Sequence, residues 1–231
     1  MRIRFEFSKN KDARYISHLD MIRVFERSVR RAGLPLAYSQ GFNPHPKLAF
    51  GPALALGTES EREYVDISFG EELEAATVLA AMEGKLPSGV SLLRGAIVPE
   101  GAAALNALIN RARYTVKSPL GREVLQGELE ALCSALMEKD SIIIKKRTKK
   151  GIRERDIRKG IFELRTELEG NGVSIFSELL LGPEGSVRPE DVVEVLVSLG
   201  MPVTGDYREV KRTGLYSCQG NSCRDPLQVL S

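Results

Sequence analysis

Hydrophobic and polar residues alternate along several short stretches of the chain, and longer stretches repeat apolar residues at helical spacing. Near the N-terminus, RIRFEFS places Ile3, Phe5 and Phe7 on one side and Arg4 and Glu6 on the other. This alternation predicts a half-buried strand. An amphipathic helix follows, and the pattern then gives two strands, a helix and a closing strand. That order is typical of a split βαβ unit.

The same rhythm of strands and helices returns after a Gly- and Ala-rich break. We therefore predict an α+β protein with two tandem ferredoxin-like (split βαβ) domains, each with an antiparallel sheet. The first domain is expected at residues 1–100 and a linker at 101–110. The second is expected at 111–231, with a basic hairpin and a short polar tail.

The composition is that of a globular protein, because hydrophobic residues are 42% and charged residues 28% of the 231-residue chain. The sequence begins without a signal peptide and holds no apolar run of about 18 residues, so we expect a cytoplasmic protein with no membrane association. Cys133, Cys218 and Cys223 are an odd number without framework spacing, which fits a reducing compartment.

Charge is unevenly distributed although the net charge is only +2. The run KKRTKKGIRERDIRK carries nine basic residues against Glu154 and Asp156, a local net charge of +7. It follows an Ile-rich strand and contains Gly151, so we predict a basic hairpin that contacts RNA or another polyanion, or else faces solvent or a protein. The candidate anion contacts on this hairpin are Lys145, Lys146, Arg147, Lys149, Lys150 and Arg153.

The first predicted helix offers a second basic surface. Arg23, Arg27 and Arg30 are spaced so that they share one polar face of the helix. One guanidinium group can donate two parallel hydrogen bonds to a phosphate, which makes these arginines candidate anion contacts. The alternative is an ordinary solvated helix face.

The two histidines of the chain lie at the start of this helix and in the loop GFNPHPK. His18, Asp20, His45 and Lys47 are weak candidates for catalytic residues, the histidines as general acid and base. The two histidines and Asp20 could instead bind a metal. The alternative is that both histidines have local structural roles. Two prolines restrict the loop, so Asn43, with His45 and Lys47, is also a candidate polar contact.

Cys218 and Cys223 are weak candidates for a metal site. Their spacing of five residues is unusual for structural zinc, and further ligands are lacking nearby. A pair of exposed thiols or a disulfide is the simpler interpretation. The sequence therefore predicts neither a metal nor a cofactor.

One long stretch, RYISHLDMIRVFERSVRRAGLPLAYSQGFNPHPKLAFGPALALGTESEREYVDI, resembles the signature of a known family. It is similar to the radical-SAM-linked (radical-SAM-associated) proteins, a bacterial domain of unknown function. The resemblance continues weakly through KKRTKKGIRERDIR and VKRTGLY. It implies a partner, a radical-SAM protein encoded nearby or fused, often beside genes of RNA metabolism. Because the Cys-x3-Cys-x2-Cys motif of radical-SAM enzymes is missing here, we expect the stand-alone form.

Three hypotheses about function follow. The first is an accessory protein without independent activity, which binds RNA or the radical-SAM partner and positions a substrate. The second is an RNA endonuclease using His18 or His45 as base and Lys47 or Arg23 to stabilise the phosphorane, by fold-level analogy with repeat-associated endonucleases. The third is a protein-only scaffold whose acidic strand EREYVDISF and basic hairpin dock onto other proteins.

Overall fold

The computed structural model describes residues 1–148, 151–204, 209–220 and 222–230. Two compact units are present: Met1–Asn110 together with Arg212–Ser231, and Arg111–Lys211. The chain passes from the first unit into the second between Asn110 and Arg111. Residues 212–231 differ from the expectation, because they group with the first unit rather than the second.

Each unit contains both strands and helices. The strands are β1 (Arg2–Lys9), β2 (Leu48–Phe50), β3 (Glu59–Ser68), β4 (Val90–Ile97), β5 (Arg111–Pro119), β6 (Ile143–Thr148), β7 (Gly151–Asp156), β8 (Ile161–Glu169), β9 (Gly172–Gly182), β10 (Gly185–Ser186), β11 (Glu209–Gln219) and β12 (Ser222–Arg224). The helices are α1 (His18–Arg31), α2 (Ala75–Met82), α3 (Leu105–Leu108), α4 (Gln126–Met137) and α5 (Pro189–Ser198). No helix within these described residues is both long and apolar enough to cross a membrane.

In the first unit, β11, β3, β1 and β4 lie side by side in this order, with β2 also paired to β3. One face of β1 contributes Ile3, Phe5 and Phe7 to the core, as the alternation predicts. Phe25 of α1 packs edge-on against Phe7, with ring centroids 5.0 Å apart. On β4, Gly95 is required, because a Cβ there would lie 2.6 Å from the Phe5 ring.

The opposite face of β1 is also buried, so the prediction that Arg4 and Glu6 lie on a solvent-facing side is wrong. Arg4 Nε and Nη2 donate to the two carboxylate oxygens of Asp66 at 2.7 and 3.0 Å. Its remaining donors reach the carbonyls of Pro226 and Ala103 at 3.0 and 3.1 Å. Chain segments far away in sequence therefore cover this face.

Glu6 is held in a second buried polar group on the same face. Tyr64 donates its hydroxyl to Glu6 Oε2 at 2.8 Å, and Arg94 binds both Glu6 and Asp225. Burial, and then the negative charge of Glu6, raise the pKa of Tyr64. Tyr64 therefore remains a neutral hydrogen-bond donor at physiological pH.

The strand EREYVDISF is not an exposed acidic surface, contrary to the scaffold hypothesis. Asp66 is paired with Arg4, and Glu63 with Arg212, whose Nε donates to Glu63 Oε1 at 2.7 Å. Both carboxylates are buried. Their charges are neutralised inside the first unit, so they are not available to a partner.

In the second unit, β9 pairs in antiparallel fashion with β5 on one side and with β8 on the other. The strands β6 and β7 form a separate two-stranded sheet, the predicted basic hairpin. Helix α4 packs on β8. The hairpin does not take the place of a split βαβ strand, so two tandem ferredoxin-like domains are not confirmed. What the chain has is a mixed α/β fold with mostly antiparallel sheets.

Candidate nucleic-acid interface

Helix α1 begins at a well-formed cap. Ser17 Oγ accepts from the backbone N–H of Asp20 at 3.1 Å, and Lys9 Nζ donates to the carbonyl of Ile16 at 2.7 Å. Hydrogen bonds from Ser17 and then Arg23 hold the pKa of Asp20 below its usual range. The start of α1 is thus fixed from both the strand β1 and its own first turn.

The arginines predicted from helical spacing lie on the solvent side of α1. Arg23, Arg27 and Arg30 are all exposed, and the buried residues of the helix lie on the opposite side. Arg23 binds Asp20 at 2.9 Å, with 67% of its side chain exposed. Because exposed pairs of this kind are weak, Arg23 can exchange Asp20 for an external anion.

The residues 39–47 form a closed loop beside α1. Ser39 and His45 bond each other twice, once between backbone groups and once from His45 N to Ser39 Oγ, both at 2.9 Å. Tyr38 pairs with Pro46 at the base of the loop. The Tyr38 hydroxyl lies 3.5 Å from Glu26 Oε1, so the base of the loop contacts the middle of α1.

Phe42, at the tip of this loop, is fully exposed. The neighbouring polar candidates Asn43, His45 and Lys47 are exposed as well. Sequence reasoning missed Phe42, because an apolar residue near an apolar strand is ordinarily assigned to the core. The signal that was present is its position between Gly41 and Asn43 in a segment with neither strand nor helix periodicity.

The structure does not assemble the predicted acid and base cluster. The ring of His18 packs edge-on against that of Phe50, with ring centroids 5.7 Å apart, whereas the backbone N–H of His45 donates to Ser39 Oγ. Within the described residues, no hydrogen bond or ring contact joins the two histidines, and Asp20 bonds Ser17 and Arg23 instead. The endonuclease hypothesis receives no support from these contacts and stays a prediction.

The basic hairpin is present, but several of its cations have partners within the second unit. Lys146 Nζ lies 2.6 Å from Asp191 Oδ2 on α5, and Lys145 Nζ lies 3.3 Å from Glu154 Oε1 on the facing strand. Lys146, whose pair with Asp191 is partly buried, has less to offer to an external anion, whereas the exposed pair of Lys145 with Glu154 is weak.

Two further cations of the run bind backbone groups. Arg155 donates to the carbonyl of Ser186 at 2.6 Å, and Arg158 donates to Met137 and Ile161. Arg153 is exposed. Three of the predicted contacts lie outside what the structure describes, namely the Arg147 side chain, Lys149 and Lys150.

Cys218 and Cys223 are joined by a disulfide across the β11–β12 hairpin. In this form neither sulfur is a free thiolate, and the weak candidacy of the two cysteines as metal ligands stays a prediction. Cys133 is free and buried on α4, as its apolar helix predicts.

The chain belongs to a known bacterial family. The DUF2344 family model, described as "Uncharacterized protein conserved in bacteria", matches residues 2–189, and the chain is a member of this family. The sequence matches no curated protein.

Among solved structures, the chain is similar to one chain of a Cbf5–Nop10–Gar1 complex, at 14% identity and a TM-score of 0.50. The match covers 91% of this chain and 48% of the other. A chain of the archaeal box H/ACA sRNP Nop10–Cbf5 complex matches at 12% identity and a TM-score of 0.45, over 90% and 46% of the two chains. The protein thus spans about half the length of these chains, and its likeness to the first of them is one of fold alone.

Proposed function

We propose that the protein is an RNA-binding accessory protein, whose RNA surface is formed by the exposed arginines of α1 and the adjoining loop 39–47. We further propose that it presents this RNA to a radical-SAM enzyme, which carries out the chemistry. The observation that supports RNA binding is the placement of three exposed guanidinium groups beside a closed loop that presents an aromatic ring and a lysine.

The charge of this surface supports an anionic ligand. Helix α1 carries Arg23, Arg27, Arg30 and Arg31 against Asp20 and Glu26. Glu26 is contacted by Tyr38, and Asp20 by Ser17 and Arg23, so both carboxylates already have partners. The loop 39–47 adds Lys47 and contains no acidic residue. Phosphates at this surface would meet more cations than carboxylates.

The basic hairpin is the weaker surface in this proposal, despite its greater charge in the sequence. To bind RNA, Lys146 and Arg155 would have to give up Asp191 and the Ser186 carbonyl. Arg27 and Arg30 are exposed to solvent, so a phosphate that binds to them displaces water. We therefore assign the main phosphate contacts to α1 and at most an auxiliary role to the hairpin.

The RNA part of the proposal is tested by titrating a fluorescent oligouridylate at several salt concentrations. In the variant Arg23→Gln/Arg27→Gln/Arg30→Gln, we expect weaker binding and a salt slope reduced by about 2, since each phosphate contact on single strands contributes roughly 0.7. Glutamine retains helix propensity, so α1 is expected to persist.

A matched control removes the same charge from the other unit, in Lys145→Gln/Arg153→Gln/Lys159→Gln, all exposed side chains. We expect its salt slope to stay close to that of the wild type. An equal or larger loss in this control would move the interface to the hairpin. Absence of binding by the wild type would refute RNA binding altogether.

The partner is proposed from the sequence resemblance and needs its own test. The tagged protein is recovered from its native cells with and without nuclease, and co-purifying proteins are identified by mass spectrometry. We expect a radical-SAM protein in both samples. If the enzyme disappears after nuclease treatment, RNA alone bridges the two; if it is absent from both, the proposed partnership is wrong.

A further inference from the structure

We propose that Phe42 is a stacking platform for an unpaired base, so that the RNA bound at α1 and the loop 39–47 is single-stranded. This inference rests on the proposed RNA binding and adds the substrate class. It is carried by the geometry of the loop, by the exposure of Phe42 and by the charges around it.

The loop holds Phe42 in a defined position. Hydrogen bonds between Ser39 and His45 close it, and the pairing of Tyr38 with Pro46 fixes its base. Gly41 adopts φ 132°, a conformation that favours glycine and turns the chain just before the aromatic residue. A closed loop of this kind loses little conformational entropy when a ligand binds.

The prolines of the loop restrict it further. Pro44 and Pro46 have fixed φ angles, and each disfavours helical backbone at the residue before it, Asn43 and His45. The segment that follows Phe42 is therefore stiff even though it is exposed. The loop presents its aromatic tip in advance of binding.

Phe42 contributes nothing visible to the core. Its side chain is fully exposed, while Phe5, Phe7 and Phe25 of the same unit are buried. Burying a phenylalanine stabilises a fold, and Phe42 forgoes this contribution. Such a residue at a rigid tip fits a binding role better than a structural one.

The charges nearby favour nucleic acid over a protein partner. Leu19, Arg23, Glu26 and Arg30 follow one another at steps of four, three and four, so they share one side of α1. Tyr38 contacts Glu26, which places the base of the loop against this same side. A loop that presents an aromatic face, and whose base lies against a helix side with two arginines, matches a ligand with flat rings and phosphates.

Stacking on a loop tip selects for single strands. In a duplex the faces of the bases are covered by their neighbours, and an exposed ring outside the helix can reach only the backbone and the groove edges. In a single strand every base has a face available, and stacking tolerates any sequence. We therefore expect discrimination by strandedness and little by sequence.

The test compares an oligouridylate with a blunt duplex of equal length, by fluorescence anisotropy with the full chain. We expect the wild type to prefer the single strand. Phe42→Ala should weaken single-strand binding about 5- to 150-fold, the range measured for one stacked base, without changing the salt slope or the duplex affinity. The melting temperature should not change, since the Phe42 side chain is fully exposed.

Two substitutions at the same position separate stacking from simple apolar contact. Phe42→Tyr keeps an aromatic face and should bind like the wild type, whereas Phe42→Leu should bind like Phe42→Ala. Leu56→Ala, at another exposed apolar side chain of this unit, is the matched control and should have no effect.

The inference is overturned if Phe42→Ala binds the single strand as the wild type does, or if Phe42→Leu retains full affinity. It is also overturned if Phe42→Ala loses the co-purifying radical-SAM protein and keeps its RNA affinity, which would make the loop a protein contact. If the variant Arg23→Gln/Arg27→Gln/Arg30→Gln still shows the reduced salt slope in these cases, the proposed RNA binding stands without Phe42.

Discussion

The pairing of Arg4 with Asp66 should be essential to the stability of the first unit. Arg4 is 0% and Asp66 2% exposed, so neither charge is solvated by water. In Arg4→Met, the one cation left near Asp66 among the described residues is the distant Arg2, whose Nε is 3.9 Å away. Removing one partner of a buried pair costs about 3–5 kcal/mol. This is a large share of the roughly 5–15 kcal/mol that stabilises a typical domain.

The double variant Arg4→Met/Asp66→Leu removes both charges and should recover much of that loss. What remains unsatisfied is the carbonyl of Pro226, since that of Ala103 belongs to an exposed residue that water can reach. One buried unsatisfied carbonyl costs about 1–3 kcal/mol. We therefore expect the double variant to lose about 1–3 kcal/mol, well below the sum of the single losses.

The measurement is urea unfolding followed by circular dichroism, with hydrogen exchange of β1 peptides to assign the transition to the first unit. Arg2→Met, an identical change at the neighbouring and partly exposed arginine, is the control and should cost at most about 1 kcal/mol. A loss below about 1 kcal/mol in Arg4→Met, or additive losses in the double variant, would refute the reasoning.

Two further predictions concern the second unit and the cysteines. Burial raises the pKa of Glu178, but the hydrogen bonds from Arg111 and Arg113 outweigh it and lower the pKa below its ordinary 4.5. At neutral pH, the wild type should therefore have a higher melting temperature than Glu178→Gln. This difference should shrink as the pH falls below about 4.5, and a difference that stays constant would contradict the prediction. Ellman titration should find one thiol per unfolded chain without reductant and three after reduction. Native Cys133 should react slowly, because burial raises the pKa of its thiol; two or more thiols before reduction would contradict the disulfide.

Local periodicity predicted much of the first unit. The alternation of β1 and the apolar stripe of α1 are local properties, and both elements form where they were expected. The burial of Arg4 and Glu6 was not predictable in this way. Alternation indicates one covered face, and the segments that cover the other face, around Ala103 and Pro226, are about a hundred and two hundred residues away along the chain.

In the second unit, local periodicity likewise predicted single elements but not the pairing of the strands. The basic hairpin was predicted from its Ile-rich strand and Gly151, and it forms. Its position was not predictable, because strand pairing is decided by contacts distant in sequence. The strands β6 and β7 pair with each other, and β8 pairs with β9.

The number of cations in a stretch of sequence also differs from the number that are free to bind a ligand at the surface. The hairpin run carries the highest density of cations, yet Lys146 and Arg155 are bound to Asp191 and the Ser186 carbonyl, and Arg158 is bound to backbone carbonyls. Binding RNA there would exchange one set of partners for another. On α1, the apolar stripe directs the arginines outward, so phosphate would replace water alone at Arg27 and Arg30. Fewer cations on the helix can therefore provide more binding energy than many on the hairpin.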